Sequence, residues 1–595
     1  MSTASTKRDR KKGRPQRPTP GGTPHPAAAA DAARTTFGVG PAEAPAEPHD
    51  VGRRAWLVLS VAVLAAAALL RLYALGLKPM HHDEGVNGFF LEKLVLAGDY
   101  KYDPTNYHGP TLYFLTLPFN LVWGAVASVW AGAWSWDSVA RLGLDDRALR
   151  LLTALSGVGT VALVLTLRRY LGAVGTLAAA ALVALSPGAV YYSRYFIHET
   201  LFVFFTLAVV VAALRFYETG RASALWLAAA AAAMLFATKE TAFISVITLG
   251  LAALVAWGWW RIRDEGRGAV GRAQGPPSAA PKAKGKRGRG REPEGAPAVF
   301  STLRARFGDA DQILFLVGTS AAVFVAVAAL FYSSFFNNWK GVSDAVSALA
   351  VWKETGASDF HAKPFHTYLK WLWQEEAPIL LLGAAGSAVA LFERRRNLFA
   401  VFAGAWAFGL VLAYSLIPYK TPWLAINFVV PMALAGGYAV GALGRARAWR
   451  PAALLALLAA LSVCGYQTVA LNFRHFDDEN YPYVYSHTRR ETVELVRAVG
   501  RAAERAGTQQ PGVAVASPEY WPLPWYFRGN PYVAYDREPK TYYDPRTTLA
   551  VVGRDDQLTQ LNAATAGAYV RVGELFPLRP GVQLVLFVRR DLAGG

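Results

Sequence analysis

Apolar runs recur along this chain, and most are long enough to cross the hydrocarbon core of a bilayer, which takes roughly 20 helical residues. They fall at Ala55–Leu77, Leu149–Leu167, Val174–Tyr191, Thr200–Phe216, Ala224–Ala237, Ala242–Trp260, Gln312–Phe331, Ala377–Phe392, Leu398–Ile417, Trp423–Leu443 and Ala452–Leu471, eleven in all. In lipid every backbone N–H and C=O must be paired inside its own segment, so runs of this kind form helices. Only 17% of the 595 residues are charged, against about 25% in soluble domains, and the mean hydropathy is +0.22. An ordinary soluble enzyme is excluded. The chain reads as an α-helical polytopic membrane protein of about eleven transmembrane helices.

A further apolar stretch, Thr111–Trp134, is broken by Pro118, Asn120 and glycines. Basic residues decide its placement. Much of the formal net charge of +19 sits in two polar segments: residues 1–54 carry ten Lys/Arg against five Asp/Glu, and residues 261–308 carry twelve against four. If Thr111–Trp134 does not cross, the connections at Arg168-Arg169, Arg215–Arg221, 261–308, Glu393–Arg396 and Arg445–Arg450 all share a side with the basic N-terminus. If it crosses, all five lie outside, against the positive-inside rule. The stretch is therefore expected to lie in the outer interface or to be partly re-entrant, a depth that suits its Trp residues.

With that topology the organisation is a disordered basic cytoplasmic tail (1–54) and a transmembrane module (55–260) with a first outer loop at 78–147. A basic cytoplasmic loop (261–308), a second transmembrane module (309–474) and an extracytoplasmic domain (475–595) follow. The two basic segments are too polar to build a core. They read as solvated topology determinants that can touch anionic lipid headgroups, not as nucleic-acid binders. The first span starts too far in and runs too long for a cleaved signal peptide. The single cysteine, Cys464, excludes a disulfide framework and any Cys-based zinc or iron–sulfur site. In the last domain Arg489–Ala506 has helical periodicity, and Val513–Ala516, Tyr532–Tyr535, Leu549–Val552 and Gln583–Val588 read as strands, giving a small α/β fold.

Polar residues that are costly near a membrane converge on the outer face. The first outer loop opens with His81-His82-Asp83-Glu84 and continues to His108-Gly109-Pro110. The loop after the third span holds Tyr192, Arg194, His198 and Glu199; that after the fifth holds Lys239 and Glu240; a fourth holds Tyr419 and Lys420. Taken singly, an Asp-Glu pair at a span end is ordinarily solvated, and a Lys or Arg there snorkels. Together they suit group transfer from a lipid-anchored donor. A carboxylate can take a proton from an attacking hydroxyl, cations can stabilise a departing phosphate, and aromatics can stack on sugar rings. Asp83 is the candidate base, with Glu84 and Glu199 the other candidate catalytic carboxylates. Arg194, Lys239 and Lys420 are candidate phosphate partners, and His81, His82, His108, Tyr192, His198, Glu240 and Tyr419 complete the expected substrate-binding set. His81, His82, Asp83, His108, His198 and Glu199 could also hold a divalent metal such as zinc or manganese. They lack the helical i, i+4 spacing of HExxH, so no metal is expected to be required.

The Asp83-Glu84 pair just after the first span, the HGP segment opening an interfacial helix, and the runs RLLTALSGVGTVALVLTLRRYLG, ALVALSPGAVYYSRYFIHETLFVFFTLAVV and LFATKETAFI resemble the GT-C membrane glycosyltransferases. That class includes the dolichyl-phosphate-mannose protein mannosyltransferases and the bacterial aminoarabinose transferases. HHDEGVNGFF, YYSRYFIHET, ATKET and PYKTPWL are similar to the flippase-activity-associated family of archaeal N-glycosylation. The resemblance implies a GT-C-like fold and a transferase, inverting at the sugar, that uses a polyprenyl-phosphate-linked donor and a glycan, protein or lipid acceptor on the extracytoplasmic face of the cell membrane. It places Asp83 at the acidic position of the first outer loop. The aminoarabinose and mannosyl enzymes have no His-His before the acidic pair, and several relatives have Asp where His198-Glu199 stands. The rival reading is a lipid-linked-sugar flippase or a non-catalytic partner of a glycosylation system. Transporters place ionisable groups near the bilayer midplane, whereas here they gather at outer ends.

Overall fold

The computed structural model describes residues 51–106, 108–273, 298–357, 361–393 and 397–594. Most of the basic N-terminal tail, positions 274–297 of the basic loop, Tyr107 and Arg394–Arg396 lie outside the described residues. Each apolar run becomes a helix: Arg53–Leu72, Asp146–Leu165, Arg168–Ala184, Glu199–Thr219, Ala222–Phe236, Ala242–Ala273, Ala310–Tyr332, Ala377–Phe392, Leu398–Leu416, Ile426–Arg445 and Arg450–Val469. Two of these spans are bent, Arg168–Ala184 running on at 55° into Pro187–Ser193, and Thr367–Glu375 meeting Ala377–Phe392 at 112°.

Side-chain contacts fix which helix ends lie together. At one end Arg306 reaches the Glu218 carbonyl, Trp259 the Leu391 carbonyl, Asn397 the Tyr170 carbonyl, and Arg445 pairs with Glu393. All these residues belong to or border the basic connections. At the other end Arg150 meets the backbone of residues 75–79, Ser186 meets Glu376, Thr468 meets the Leu185 carbonyl, and Lys239 meets Glu199. The eleven helices among the described residues therefore alternate in direction, as the charge pattern requires.

The Thr111–Trp130 helix is itself long and apolar enough to span, yet its contacts keep it at one end of the bundle. Gly109 N–H donates to the Thr238 carbonyl at 3.0 Å, beside the end of the Ala222–Phe236 helix. Trp123 lies in a cleft with Leu75, Gly76 and Arg147, at the ends of the Arg53–Leu72 and Asp146–Leu165 helices. The intervening 14 residues cover about 20 Å of helix, so the helix crosses over the bundle end instead of passing through it.

The Ile426–Arg445 helix forms the centre of the bundle and is buried on nearly every side, as expected of a helix apolar all round. Small residues let its neighbours approach: a Cβ at Gly436 would come within 2.9 Å of the Leu382 side chain. Close packing through small residues replaces the hydrophobic drive that is absent between helices in lipid.

The last domain has five strands, β1 Val513–Ala516, β2 Val533–Asp536, β3 Ala550–Arg554, β4 Tyr569–Arg579 and β5 Val582–Arg589, in the order β2-β1-β3-β5-β4. β1 runs parallel to β2 and β3, and β5 antiparallel to β3 and β4. The Glu491–Arg505 helix packs Leu495, Val499 and Ala502 on Val513, Val515 and Leu586. β4 is the strand missing from the sequence reading: it is partly exposed along most of its length and carries Arg571, Glu574, Pro577 and Arg579, with register shifts against β5, so no alternating apolar face marks it.

This domain sits on the His82–Ala97 helix. A Cβ at Gly85 would lie 2.7 Å from Pro522, and one at Gly88 2.6 Å from the Trp525 ring. Trp525 Nε1 donates to Asp146 Oδ1 at 2.6 Å, Met80 N–H to the Tyr526 hydroxyl at 2.9 Å, and Arg528 to the Leu144 carbonyl at 2.7 Å.

The sidedness is testable in cells. With the buried Cys464 replaced by Ser, exposed cysteines at Lys93 or Lys540 should react with an impermeant maleimide from outside, whereas those at Arg221 or Arg447 should react only after permeabilisation. The reverse pattern would invert the topology.

Candidate active site

Asp83 and Glu84 stand side by side at the start of the His82–Ala97 helix and have opposite environments. His81 caps that helix, its Nδ1 accepting from Asp83 N–H, while Glu84 Oε2 accepts from His81 N–H at 2.9 Å. This reciprocal arrangement is a capping box. Glu84 is fully buried and forms a two-pronged ion pair with the equally buried Arg150, both contacts being 2.7 Å. Its Oε1 also accepts from Phe196 N–H at 2.8 Å. Arg150 donates in addition to the carbonyls of Leu75, Lys78 and Pro79. Glu84 thus has no free oxygen for chemistry, and it binds together the first outer loop, the second span and the turn before His198. The Asp83 side chain is 44% exposed and lines a cavity of about 350 Å3.

Segments far apart in the chain wall this cavity. His82, Asp83 and Asn87 come from the first loop, His108 and Tyr113 from its continuation, His198 and Glu199 from the loop after the third span, and Lys239 and Glu240 from that after the fifth. Tyr414, Tyr419, Thr421 and Trp423 close it on one side and Trp352 on another. Glu199 Oε1 and Lys239 Nζ form a buried ion pair at 2.6 Å. Burial pulls the Lys239 ammonium down, but Glu199 and Glu240 more than offset this and hold it charged. His108 Nδ1 lies 3.5 Å from Glu240 Oε2, and the His108 and His198 rings are 4.9 Å apart. The HGP segment owes its glycine to a close approach: a Cβ on Gly109 would collide with the Ala237 carbonyl, and this contact brings His108 beside Lys239.

Of the sequence-derived candidates, His82, Asp83, His108, His198, Glu199, Lys239, Glu240 and Tyr419 line the cavity together. His81, Glu84, Tyr192, Arg194 and Lys420 lie behind or beside it. Tyr192 is buried and donates to the Tyr483 carbonyl at 3.0 Å. The Arg194 guanidinium is spent on the carbonyls of Leu70, Arg71, Tyr73 and Ala74, where the C-terminal end of the first helix favours a cation. Lys420 Nζ donates to the Ile417 carbonyl at 2.6 Å. Sequence reasoning missed Arg150, which a charge one turn inside an apolar run would have flagged. It also missed Arg579, whose place in a weakly patterned strand gave no signal, and Glu376. Glu376 sits at the 112° bend and accepts from Ser186 Oγ at 2.6 Å and Gly188 N–H at 2.9 Å. Among the described residues no group of three or more His, Cys, Asp or Glu stands close enough to hold a metal ion.

Residues 130–265 match the model of the dolichyl-phosphate-mannose-protein mannosyltransferase family. No curated protein matches the chain by sequence. Among solved structures the chain is similar to ArnT from Cupriavidus metallidurans bound to undecaprenyl phosphate, with a TM-score of 0.51 and 13% identity over 91% of this chain and 100% of that one. It is similar to the same protein in the apo state, with a TM-score of 0.52 and 13% identity over 91% and 99%. The chain therefore has the fold of the GT-C membrane glycosyltransferases.

Proposed function

We propose that this protein transfers a sugar from a polyprenyl-phosphate-linked donor to a glycan, protein or lipid acceptor at the extracytoplasmic face of the cell membrane, with inversion at the anomeric carbon. The observation that carries this reading is the division of labour among the three carboxylates of the cavity. Glu199 and Glu240 are held by Lys239 and His108, whereas Asp83 is rooted at a capped helix start with its oxygens open to the cavity. Asp83 takes the proton of the acceptor hydroxyl as it attacks the sugar. Lys239, kept charged by Glu199, faces the phosphate that leaves on the lipid, whereas Lys420, turned to the Ile417 carbonyl, supports the loop that carries Tyr419. His82, His108, His198 and Tyr419 surround the sugar. Arg194, turned to backbone carbonyls, holds the first span's end in place. The family match and the similarity to a structure with bound undecaprenyl phosphate support the donor class.

The purified protein should transfer sugar from a panel of polyprenyl-phosphate donors in detergent and keep that activity after EDTA treatment and dialysis. Loss of activity with EDTA, restored by one divalent ion, would make the histidines metal ligands. Movement of lipid-linked sugar across vesicles without transfer would establish the flippase reading instead.

A further inference from the structure

Two imidazoles of the cavity are each fastened by the protein at one nitrogen, and at opposite ends. His198 Nε2 lies 3.0 Å from the Gly109 carbonyl oxygen. A carbonyl only accepts, so Nε2 carries the hydrogen and Nδ1 is a bare lone pair. That Nδ1 is buried and has no hydrogen-bond partner among the described residues, and its ring lines the cavity. His82 is turned the other way. Its Nδ1 lies 2.9 Å from Arg579 Nη1, and a guanidinium only donates, so Nδ1 accepts and the hydrogen sits on Nε2. This ring lines the cavity as well. Both are the same tautomer, tied at different nitrogens.

Both stay neutral at neutral pH. Burial holds His82 at about 4, with Asp83 pulling up and His81 and Arg579 pushing down. Burial also takes His198 well below its ordinary value, helped by His108 and Lys239 and opposed by its bond to Gly109.

We infer that His198 offers the cavity a bare acceptor and His82 an N–H donor, that the bare nitrogen of His198 reads a sugar hydroxyl and not the phosphate, and that Arg579 of the C-terminal domain is the positioning residue for His82. The inference rests on the transferase reading above. A phosphate oxygen only accepts, so it finds no partner in the bare Nδ1 of His198. A hydroxyl both donates and accepts, and suits either ring. A buried acceptor left without a donor is costly, so a site built around one rejects a ligand that lacks the matching hydroxyl. Arg579 belongs to β4 and stands 497 positions from His82 in the chain. The C-terminal domain thereby sets which end of an imidazole the cavity sees. Arg579 also lies 4.0 Å from Glu519, a carboxylate that it shares with Arg554.

The test uses farnesyl phosphate and farnesyl-phosphate-linked glucose, mannose, galactose and arabinose, with affinities measured on the full chain in detergent. At least one sugar-bearing lipid should bind wild type more tightly than farnesyl phosphate does. His198→Gln can still donate to the Gly109 carbonyl but has no acceptor at the Nδ1 position. It should weaken that lipid at least about tenfold and leave farnesyl phosphate within about twofold. Arg579→Leu should act in the same direction, and Arg579→Lys, which keeps a donor for Nδ1, should recover part of the loss. Equal weakening of sugar-bearing and sugar-free lipids by His198→Gln would mean that this ring does not tell sugar from phosphate and would overturn the inference. Nitrogen-15 NMR of histidine-labelled protein, assigned with His82→Asn and His198→Asn, gives a ligand-free arm: both rings should be the neutral Nε2–H tautomer at pH 7. An imidazolium or an Nδ1–H tautomer at either position would also overturn it. If no sugar-bearing lipid binds more tightly than farnesyl phosphate, the transferase reading fails, and the NMR arm still decides the state of the rings.

Discussion

Asp83→Asn should lower turnover by a factor on the order of 10² to 10⁴, the usual worth of a positioned general base, and should leave the melting temperature and donor-lipid affinity near wild type. Asn matches the shape of Asp and cannot take a proton. Among the described residues Asp83 makes no ion pair to a permanent cation: the nearest basic atom there, His81 Nδ1, is 3.9 Å away and accepts from the Asp83 N–H. Its backbone is held by the His81 cap and by Glu84, one position on, so the substitution disturbs neither. Lys239→Ala behaves differently. It would remove the proposed phosphate partner and leave Glu199 buried without its cation, so donor affinity and thermal stability should fall along with turnover. The measurement is sugar transfer in detergent with melting temperature recorded for each variant. Wild-type turnover in Asp83→Asn would remove the base from this position and move it to Glu199 or Glu240.

The spans were legible because an apolar run of bilayer length permits one backbone solution, and the basic connections then fix its direction. The same rule placed Thr111–Trp130 across the bundle end although its length and apolarity alone would let it span. Strands β1, β3 and β5 were legible because their buried residues form short apolar runs, and β2, which has no buried residue, through its β-favouring Val533 and Tyr535. β4 was not, because it is partly exposed along most of its length and its charges, Gly573 and Pro577 break any regular apolar alternation, and Arg579 was hidden with it. The site was legible as a set of loops that one topology brings to one face. The sequence could not distribute roles within it. Asp83 and Glu84 are neighbours of one chemical type, and only the position of Arg150, 66 residues from Glu84, makes one of them structural. Arg194 and Lys239 are both cations at span ends, and only the carbonyls around the first and the carboxylate beside the second set them apart. Such differences arise from pairings between distant segments, which periodicity and spacing do not encode.

Breaking the Glu84–Arg150 pair should be the most destabilising single change. Neither side chain is exposed to solvent, and removing one member of a buried pair leaves the other charge uncompensated, at a cost of about 3 to 5 kcal/mol. Arg150→Leu carries an added cost, because the carbonyls of Leu75, Lys78 and Pro79 lose their donor in the same step. Glu84→Gln keeps an acceptor for Phe196 N–H and should be the milder of the two. Because the pair fixes the loop that carries Asp83, the Glu84→Gln protein that still folds should have lower turnover with donor affinity nearly unchanged. The double variant Glu84→Leu with Arg150→Leu removes both charges and should be more stable than Arg150→Leu alone, while its activity stays low because the loop has lost its anchor. Thermal unfolding in detergent and transfer assays on all four proteins check this. Wild-type melting and turnover in Arg150→Leu would show that the pair neither supports the fold nor positions the base, and would return Glu84 to the list of groups free to act on substrate.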